Sequence, residues 1–194
     1  MKNAETPVLK LVLYGAISSL GSALMAELLH RQHEVIAILD DLNALTPRPG
    51  LRTKIGSLAD AEQVSQSVAG SSAVICLLDQ SPTLIDSTSA TQHLIDGMHR
   101  MGIKRLMLVG DFDESSEIYL QGIVDLLTFS ELNWTLINSP KGVLGLTIEH
   151  FNQISETLEP DLADPLLHLG RVAAGIADEL DLNLHVREHV NFVF

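Results

Sequence analysis

The sequence is poor in the residues that stabilise several specialised classes of protein. It contains a single cysteine, which excludes an internal disulfide framework and fits a reducing compartment. Aromatic residues make up only 4% of the chain, and no apolar run is long enough to cross a bilayer. We therefore expect a soluble, cytoplasmic protein with no membrane association and no signal peptide.

Positive charge is also scarce. Lysine and arginine number 12 against 25 aspartates and glutamates, which gives a formal net charge of −13. Because nucleic-acid binding relies on lysine and arginine to neutralise phosphates, the composition argues against a nucleic-acid partner. Apolar residues are abundant instead, at 46% of 194 residues, which is enough for the core of one domain.

The segment 8–41 has the layout of a dinucleotide-binding βαβ unit. An apolar run of strand formers leads into a turn with Gly15 and Gly21, followed by a pattern that predicts a helix with one apolar face. A second apolar run then ends in Asp40 and Asp41. In such units the pyrophosphate lies at the helix N-terminus, and an acidic residue about 20 positions after the glycines binds the ribose.

The glycine motif of this turn, GAISSLG, is incomplete, because Ser18 replaces the middle glycine of a full fingerprint. Gly15 still suits the tight turn and Gly21 the close packing of helix on strand. We expect the Cβ of Ser18 to crowd a phosphate. The motif therefore indicates either a working dinucleotide site or a Rossmann-type scaffold whose site has decayed. The residues of the predicted site in this turn are Gly15, Ala16, Ser18, Ser19, Leu20 and Gly21.

Strand and helix patterns alternate along the rest of the chain, which predicts a doubly wound, mostly parallel α/β sheet of three layers. We expect a single Rossmann-type domain over 1–194, with a dinucleotide-binding core over 1–139 and a short C-terminal region over 140–194. Further strands are predicted over 53–56, 73–78, 105–109 and 134–137. In the C-terminal region the pattern predicts a helix over 148–158, a loop bracketed by Pro160 and Pro165, a helix over 171–180 and an edge strand over 189–194.

Several runs along the chain carry a family resemblance. In order, they are GAISSLG with RQHEV, GSLADAEQV, TQHLIDGMHRMGIKRLMLVG and LTFSELNWTLINSP. They resemble the GATGxxG with RGHEV, GDL-T-D, T-NLI-AM-AGVKRLV-VG and L-SGLDWTI-RPP segments of atypical short-chain dehydrogenase/reductases. The group is the NmrA-like one, which includes NAD(P)H-flavin reductase-like and biliverdin reductase B-like proteins. The resemblance implies an NAD(P)-binding oxidoreductase that transfers hydride from NAD(P)H to a small flavin, quinone or carbonyl.

The resemblance also implies positions for the adenosine half of the cofactor. Ser57, followed by Leu58, stands where the family has an aspartate that contacts adenine. NADPH-using relatives end the second strand with an arginine, whereas this chain has Asp40 and Asp41. Two carboxylates repel a 2′-phosphate and accept from a ribose hydroxyl, so we expect NAD(H) to be favoured over NADP(H).

Further candidate residues follow the later strands. Leu78 and Asp79 follow the fourth strand, where relatives place a small loop over the cofactor. Gly110 and Asp111 follow the fifth, at the carboxyl edge where open α/β sheets bind ligands. Asp111 either lines the nicotinamide site or complements the positive N-terminus of the next helix.

The loop after the sixth strand contains Pro140 and Lys141, the predicted substrate-lining residues. Lys141 either reaches a substrate acid or a cofactor phosphate, or is simply solvated. The eight histidines do not form a metal constellation. The apolar residues Leu126, Leu127 and Phe129 suit either a homodimer interface or the core.

No catalytic residue is assigned by the sequence. Classical relatives use a Tyr-xxx-Lys pair as acid and base, but Tyr14 is followed four places on by Ser18, and Tyr119 by Ile123. The protein is therefore either a reductase of a small-molecule substrate or a non-catalytic dinucleotide sensor that acts on a regulatory protein partner. Loss of the cofactor altogether is the third alternative.

Overall fold

The computed structural model describes residues 7–78, 86–112, 117–139, 144–152 and 160–192. Strands and helices alternate along them, as the sequence pattern predicts. The strands are β1 (Lys10–Tyr14), β2 (Glu34–Leu39), β3 (Leu51–Ile55), β4 (Ala73–Leu77), β5 (Arg105–Gly110), β6 (Asn133–Asn138) and β7 (Glu188–Asn191). The helices are α1 (Ser19–His30), α2 (Ala61–Val68), α3 (Ser87–Met101), α4 (Glu117–Phe129), α5 (Ile148–Asn152) and α6 (Pro160–Leu182).

The seven strands of the described residues form one sheet in the order β3-β2-β1-β4-β5-β6-β7, with every pair parallel. This confirms the predicted doubly wound fold. The strand order reverses between β1 and β4, because the chain moves outward in one direction from β1 and in the other from β4. The carboxyl ends of these two strands therefore border the crevice in which such sheets bind ligands.

Alternate side chains of β1 enter two separate cores, one on each face of the sheet. Leu11 and Leu13 face the core that includes α1 and α6, and Val12 and Tyr14 face the core of α2, α3 and α4. All four are buried. Burial on both faces explains the continuous apolar runs of the sequence, since neither face of a central parallel strand meets water.

The prediction of a loop bracketed by Pro160 and Pro165 is wrong. Both prolines belong to α6, which runs from Pro160 to Leu182 with Pro165 inside it. Pro160 is the first helical residue, where no backbone N–H is needed, and Pro165 costs one backbone hydrogen bond near the start. A buried apolar stripe that includes Leu166, Leu169 and Val172 joins the core of α1, and its burial outweighs that cost.

Other boundaries differ only slightly. The third strand begins at Leu51, two residues before the predicted start. The edge strand β7 starts at Glu188, and Arg187 before it has a positive φ of 64°. Asp60 is the N-cap of α2, and Gly102 ends α3 in the left-handed conformation.

Two expectations about surfaces can be compared with the described residues. No helix within the described ranges is long and apolar enough to span a bilayer. Of the three apolar residues considered for a dimer interface, Leu127 is buried in the core, Leu126 is half-buried, and Phe129 is 89% exposed. A homodimer therefore stays a prediction.

Candidate functional site

The glycine turn after β1 has the geometry that the motif predicts. Gly15 adopts a positive φ of 81°, which a residue with a side chain rarely takes. A Cβ added to Gly21 would lie 2.3 Å from the carbonyl oxygen of Gly15 and 2.8 Å from that of Ala16. Only glycine at position 21 therefore lets α1 begin directly against this turn.

Ser18 closes the turn with its own side chain. Its hydroxyl donates to the carbonyl oxygen of Gly15 at 2.8 Å and accepts from the backbone N–H of Gly21 at 2.9 Å. Ser18 is thus the N-cap of α1, and it satisfies one of the free N–H groups at the helix start. The residue that replaces the middle glycine of the fingerprint has a local structural role.

The next two residues of the predicted site face the protein interior. The hydroxyl of Ser19 accepts from the backbone N–H of Leu146 at 2.9 Å, which ties the start of α1 to the segment after β6. Leu20 is half-buried and packs against the core of α1 and α6. Contact of Ser19, Leu20 or Gly21 with a cofactor stays a prediction.

A narrow cleft of about 30 Å³ lies at the carboxyl edge, where the ends of β1, β2 and β3 meet. Parallel strands bring these ends together although the residues are far apart in sequence. From the predicted site, the cleft is lined by Gly15, Ala16, Asp40, Ser57 and Leu58. Lining residues that the sequence did not indicate are Tyr14, Ile17, Ile38, Leu39 and Gly56.

The two acids after β2 separate in the structure. Asp40 lines the cleft and is exposed. Asp41 caps a 3₁₀ turn over Leu42–Ala44, because its carboxylate accepts from the backbone N–H and the side-chain amide of Asn43, both at 2.9 Å. Only Asp40 of the pair therefore lines the cleft.

The loop after β3 forms the opposite wall. The hydroxyl of Ser57 accepts from the backbone N–H of Ala59 at 2.9 Å, which leaves its hydrogen to donate. Gly56 packs so closely on α2 that an added Cβ would lie 2.3 Å from Oγ of Ser67. In the sequence, this contact between the loop and α2 was indicated only by a glycine at position 56.

Tyr14 lies at the end of β1, next to the glycine turn. Its side chain is only 4% exposed, and its hydroxyl has no hydrogen-bond partner among the described residues. Burial raises the pKa of Tyr14, and this effect is larger than that of the neighbouring Ser67, which lowers the pKa. The phenol therefore stays protonated at physiological pH, and its raised pKa makes it a weaker proton donor than an exposed tyrosine.

The carboxyl edge continues past β4 and β5. Leu78 is buried in the core, and Gly110 accepts a hydrogen bond from the backbone N–H of Ser139 at 2.9 Å. Asp111 is half-buried. The side chain of Asn138, which the sequence did not single out, accepts from the backbone N–H of Phe112 at 2.9 Å and so fixes the start of the loop after β5.

Three predicted site residues, Asp79, Pro140 and Lys141, lie outside the described residues. Within the described ranges, no group of three or more histidine, cysteine, aspartate or glutamate side chains is placed to hold a metal ion. The cleft at the ends of β1, β2 and β3 offers glycine backbone, the carboxylate of Asp40, the hydroxyl of Ser57 and apolar walls.

A family model described as NAD(P)H-binding matches residues 15–120, more than half of the chain. The chain belongs to this NAD(P)H-binding family. The matched region begins at Gly15 and contains all the predicted adenosine-binding residues of the cleft. A comparison with curated proteins finds no match.

Solved structures of the same fold include a Rossmann-fold NAD(P)-binding protein and a short-chain dehydrogenase/reductase. A wide-type short-chain dehydrogenase/reductase from Veillonella parvula, in complex with NADP, is 17% identical, with a TM-score of 0.68 over 95% of this chain and 94% of that one. A Rossmann-fold NAD(P)-binding family protein from Shigella flexneri is 16% identical, with a TM-score of 0.68 over 95% and 93%. The enzyme WbmH from Bordetella bronchiseptica, in complex with NAD+, is 13% identical, with a TM-score of 0.65 over 96% and 76%. These likenesses show the Rossmann-type fold of the NAD(P)H-binding chain.

Proposed function

We propose that this protein binds NAD(H) in preference to NADP(H) at the carboxyl edge and transfers hydride to a small acceptor. The observation that carries the proposal is the position of Asp40, an exposed carboxylate in one cleft with the Gly15 turn and Ser57. A carboxylate at this point accepts hydrogen bonds from a ribose and repels a 2′-phosphate. No lysine or arginine of the described part of the chain lines the cleft to offset that repulsion.

The residues of the cleft fit the adenosine half of a dinucleotide. The closely packed turn with Gly15 and Gly21 brings the N-terminus of α1 to the cleft, where its positive end favours the pyrophosphate. Asp40 would hold the ribose, and Ser57 and Leu58 would flank the adenine. Because the cleft measures only about 30 Å³, the adenosine would lie across its mouth, beside the exposed Ile17.

The acceptor class follows from the side chains available. A bound reduced nicotinamide supplies the hydride, and the fold orients it and excludes water. Tyr14 is buried and neutral, and the sequence has no Tyr-xxx-Lys pair to deliver a proton to a carbonyl. A flavin or quinone takes its proton from water after the hydride arrives, so this NmrA-like chain suits such an acceptor. We place the activity in the cytoplasm, in keeping with the single, buried Cys76.

The test is a calorimetric titration with NADH and NADPH, supported by thermal shift. We expect tighter binding of NADH, and in Asp40→Ala a loss of the preference, with weaker NADH binding and stronger NADPH binding. Asp41→Ala is the matched control. It removes one negative charge from the adjacent position, where the carboxylate caps a turn. Equal effects of the two substitutions would contradict the proposed role of Asp40.

The absence of the Tyr-xxx-Lys pair also supports a second function, that of a dinucleotide sensor with a regulatory protein partner. NADH oxidation should then be measured with a panel of flavins, quinones and carbonyls. Turnover supports the reductase, and binding without turnover supports the sensor. If neither nucleotide binds, the glycine turn is a relic and both proposals fail.

A further inference from the structure

A second concavity, here called the amino-edge groove, lies at the opposite edge of the sheet from the dinucleotide cleft. It measures about 550 Å³ and is bordered by the starts of β4, β5 and β6. The turns at 70–72 and 102–104 form one wall, and the end of α6 forms the other. Its volume falls within the range of small-molecule pockets, roughly 300–1,000 Å³, whereas the cleft at the carboxyl edge does not.

Part of the groove lining is apolar. Met101 and Val186 line it and are 43% and 36% exposed, and the buried Ile103 and Leu180 lie behind them. Apolar side chains that line a concavity contribute to binding the apolar part of a small ligand. The apolar body of a ligand would cover them.

The charges on the lining are both positive, in a chain with twice as many acids as bases. Among the described residues, no aspartate or glutamate lines the groove, whereas Lys104 and Arg105 do. Arg105 is neutralised by Glu179 behind it, at 2.9 Å. Lys104 is half-exposed, and its only described ion pair is a 3.6 Å contact with the highly exposed carboxylate of Glu131. An exposed pair of this kind is weak, so Lys104 is available to an anion from outside.

Three helix ends also border the groove. The C-termini of α2, α3 and α6 point toward it, and free carbonyl groups there carry a partial negative charge. Backbone N–H groups of Ser71, Gly102 and Asn183 satisfy one carbonyl at each end, at 3.0, 3.1 and 2.9 Å. Each bond leaves fewer free carbonyls at that end, and Lys104 is the formal charge on the described lining without a buried partner.

Neutral hydrogen-bond donors complete the lining. The hydroxyl of Ser72 accepts from the backbone N–H of Lys10 at 3.3 Å and keeps its hydrogen to donate. The side-chain amides of Asn133 and Asn183 are exposed, and no hydrogen bond to them is found within the described ranges. We propose that the amino-edge groove binds a small organic anion with an apolar body, its acidic group at Lys104 and its body against Met101 and Val186.

The probe is 8-anilinonaphthalene-1-sulfonate, an apolar anion whose fluorescence rises on leaving water. Titration of the folded wild-type chain should give saturable 1:1 binding that excess NADH does not displace. Lys104→Glu should weaken binding by about tenfold, because it replaces an attracting charge with a repelling one; a tenfold change equals about 1.4 kcal/mol. Arg100→Glu is the matched control. Arg100 is exposed in the last turn of α3, four residues before Lys104, but it does not line the groove.

A variant that fills the groove with a larger side chain is a second test of the site. Ser72→Phe places a ring in the groove from an exposed position and should also abolish binding, with an unfolding midpoint near that of the wild type. In ¹H–¹⁵N spectra the probe should shift the amides of Ser72, Gly102 and Asn183. Displacement by NADH, equal effects of Lys104→Glu and Arg100→Glu, or shifts confined to the carboxyl edge would each overturn the proposal. So would a change of oligomeric state in Lys104→Glu, which would make the groove an interface between copies.

Discussion

The carboxylate of Glu179 accepts a hydrogen bond from the guanidinium of Arg105 at 2.9 Å, inside the interface between α6 and the sheet. Only 2% of the Glu179 side chain and 10% of the Arg105 side chain are exposed. The same carboxylate also accepts from the backbone N–H of His185 at 3.0 Å and the hydroxyl of Thr135 at 3.3 Å. Burial lowers the pKa of Arg105, and the adjacent Glu179 acts against that shift. One carboxylate thus fastens α6 and the chain entering β7 to the centre of the sheet.

We predict that Glu179→Leu destabilises the protein by about 3–5 kcal/mol, because it leaves the charge of Arg105 buried and unpaired. Urea unfolding followed by circular dichroism measures the change. The double variant Arg105→Met with Glu179→Leu should recover much of the loss. In the exposed pair of Lys104 and Glu131, Glu131→Gln should cost less than about 1 kcal/mol. A similar cost for both single substitutions would show that the buried pair contributes no more than a surface one.

Gly21→Ala should destabilise the protein by about 1–3 kcal/mol, because the new Cβ would lie 2.3 Å from the carbonyl oxygen of Gly15. The start of α1 must then move away from the glycine turn, so dinucleotide binding should weaken as well. Gly122→Ala is the matched control inside α4, where an added Cβ meets nothing within 4 Å. There we expect a gain of roughly 0.5–1 kcal/mol from helix propensity. Thermal unfolding of the two variants should shift in opposite directions.

Ser18→Gly should separate the capping role of this residue from its effect on the cofactor. Glycine is a tolerable N-cap, so the stability cost should be only a few tenths of a kcal/mol, against about 1 kcal/mol for Ser18→Ala. Removing the side chain restores the middle glycine and lets the backbone approach a pyrophosphate. We therefore expect NADH to bind several-fold more tightly to Ser18→Gly, as measured by calorimetry. Unchanged or weaker binding would mean that the serine does not obstruct the phosphate.

We predict that acid destabilises α2 and α3 by protonating the aspartates at their N-caps. A backbone hydrogen bond from Gln63 lowers the pKa of Asp60, and one from Ser89 lowers the pKa of Asp86. An aspartate whose pKa is lower in the folded chain than in the unfolded chain stabilises the fold. The stabilisation is complete above the unfolded-state pKa, near 3.9, and is lost as pH falls through the folded-state pKa. Asp86→Asn keeps a capping side chain without the charge. Its melting temperature should therefore fall less than that of the wild type between about pH 5 and about pH 3.

The control for this pH series is Asp125→Asn, an exposed acid in the middle of α4 rather than at a helix start. Its melting profile should follow the wild-type one. If Asp86→Asn loses as much stability in acid as the wild type, the ionised cap does not contribute to the pH dependence.

Much of the fold was predictable because its signals are local. The apolar runs of the buried strands, the cap at Asp60 and the left-handed stop at Gly102 each depend on a few neighbouring residues. α6 was not predictable in full, since Pro160 and Pro165 are local signals for a loop. The apolar face that holds them in a helix acts only when α1 and the sheet are in place.

Local sequence patterns were enough to predict the parallel α/β fold, the tight turn at Gly15 and an acid at the end of the second strand. Tertiary structure decided that Asp40 lines the cleft while Asp41 caps a turn, and that Ser18 is a helix cap. It also created the amino-edge groove, whose walls come from distant parts of the chain. The physical reason is that strand and helix formation follow from sequence periodicity, whereas the partner of a side chain depends on which distant segments the fold brings beside it.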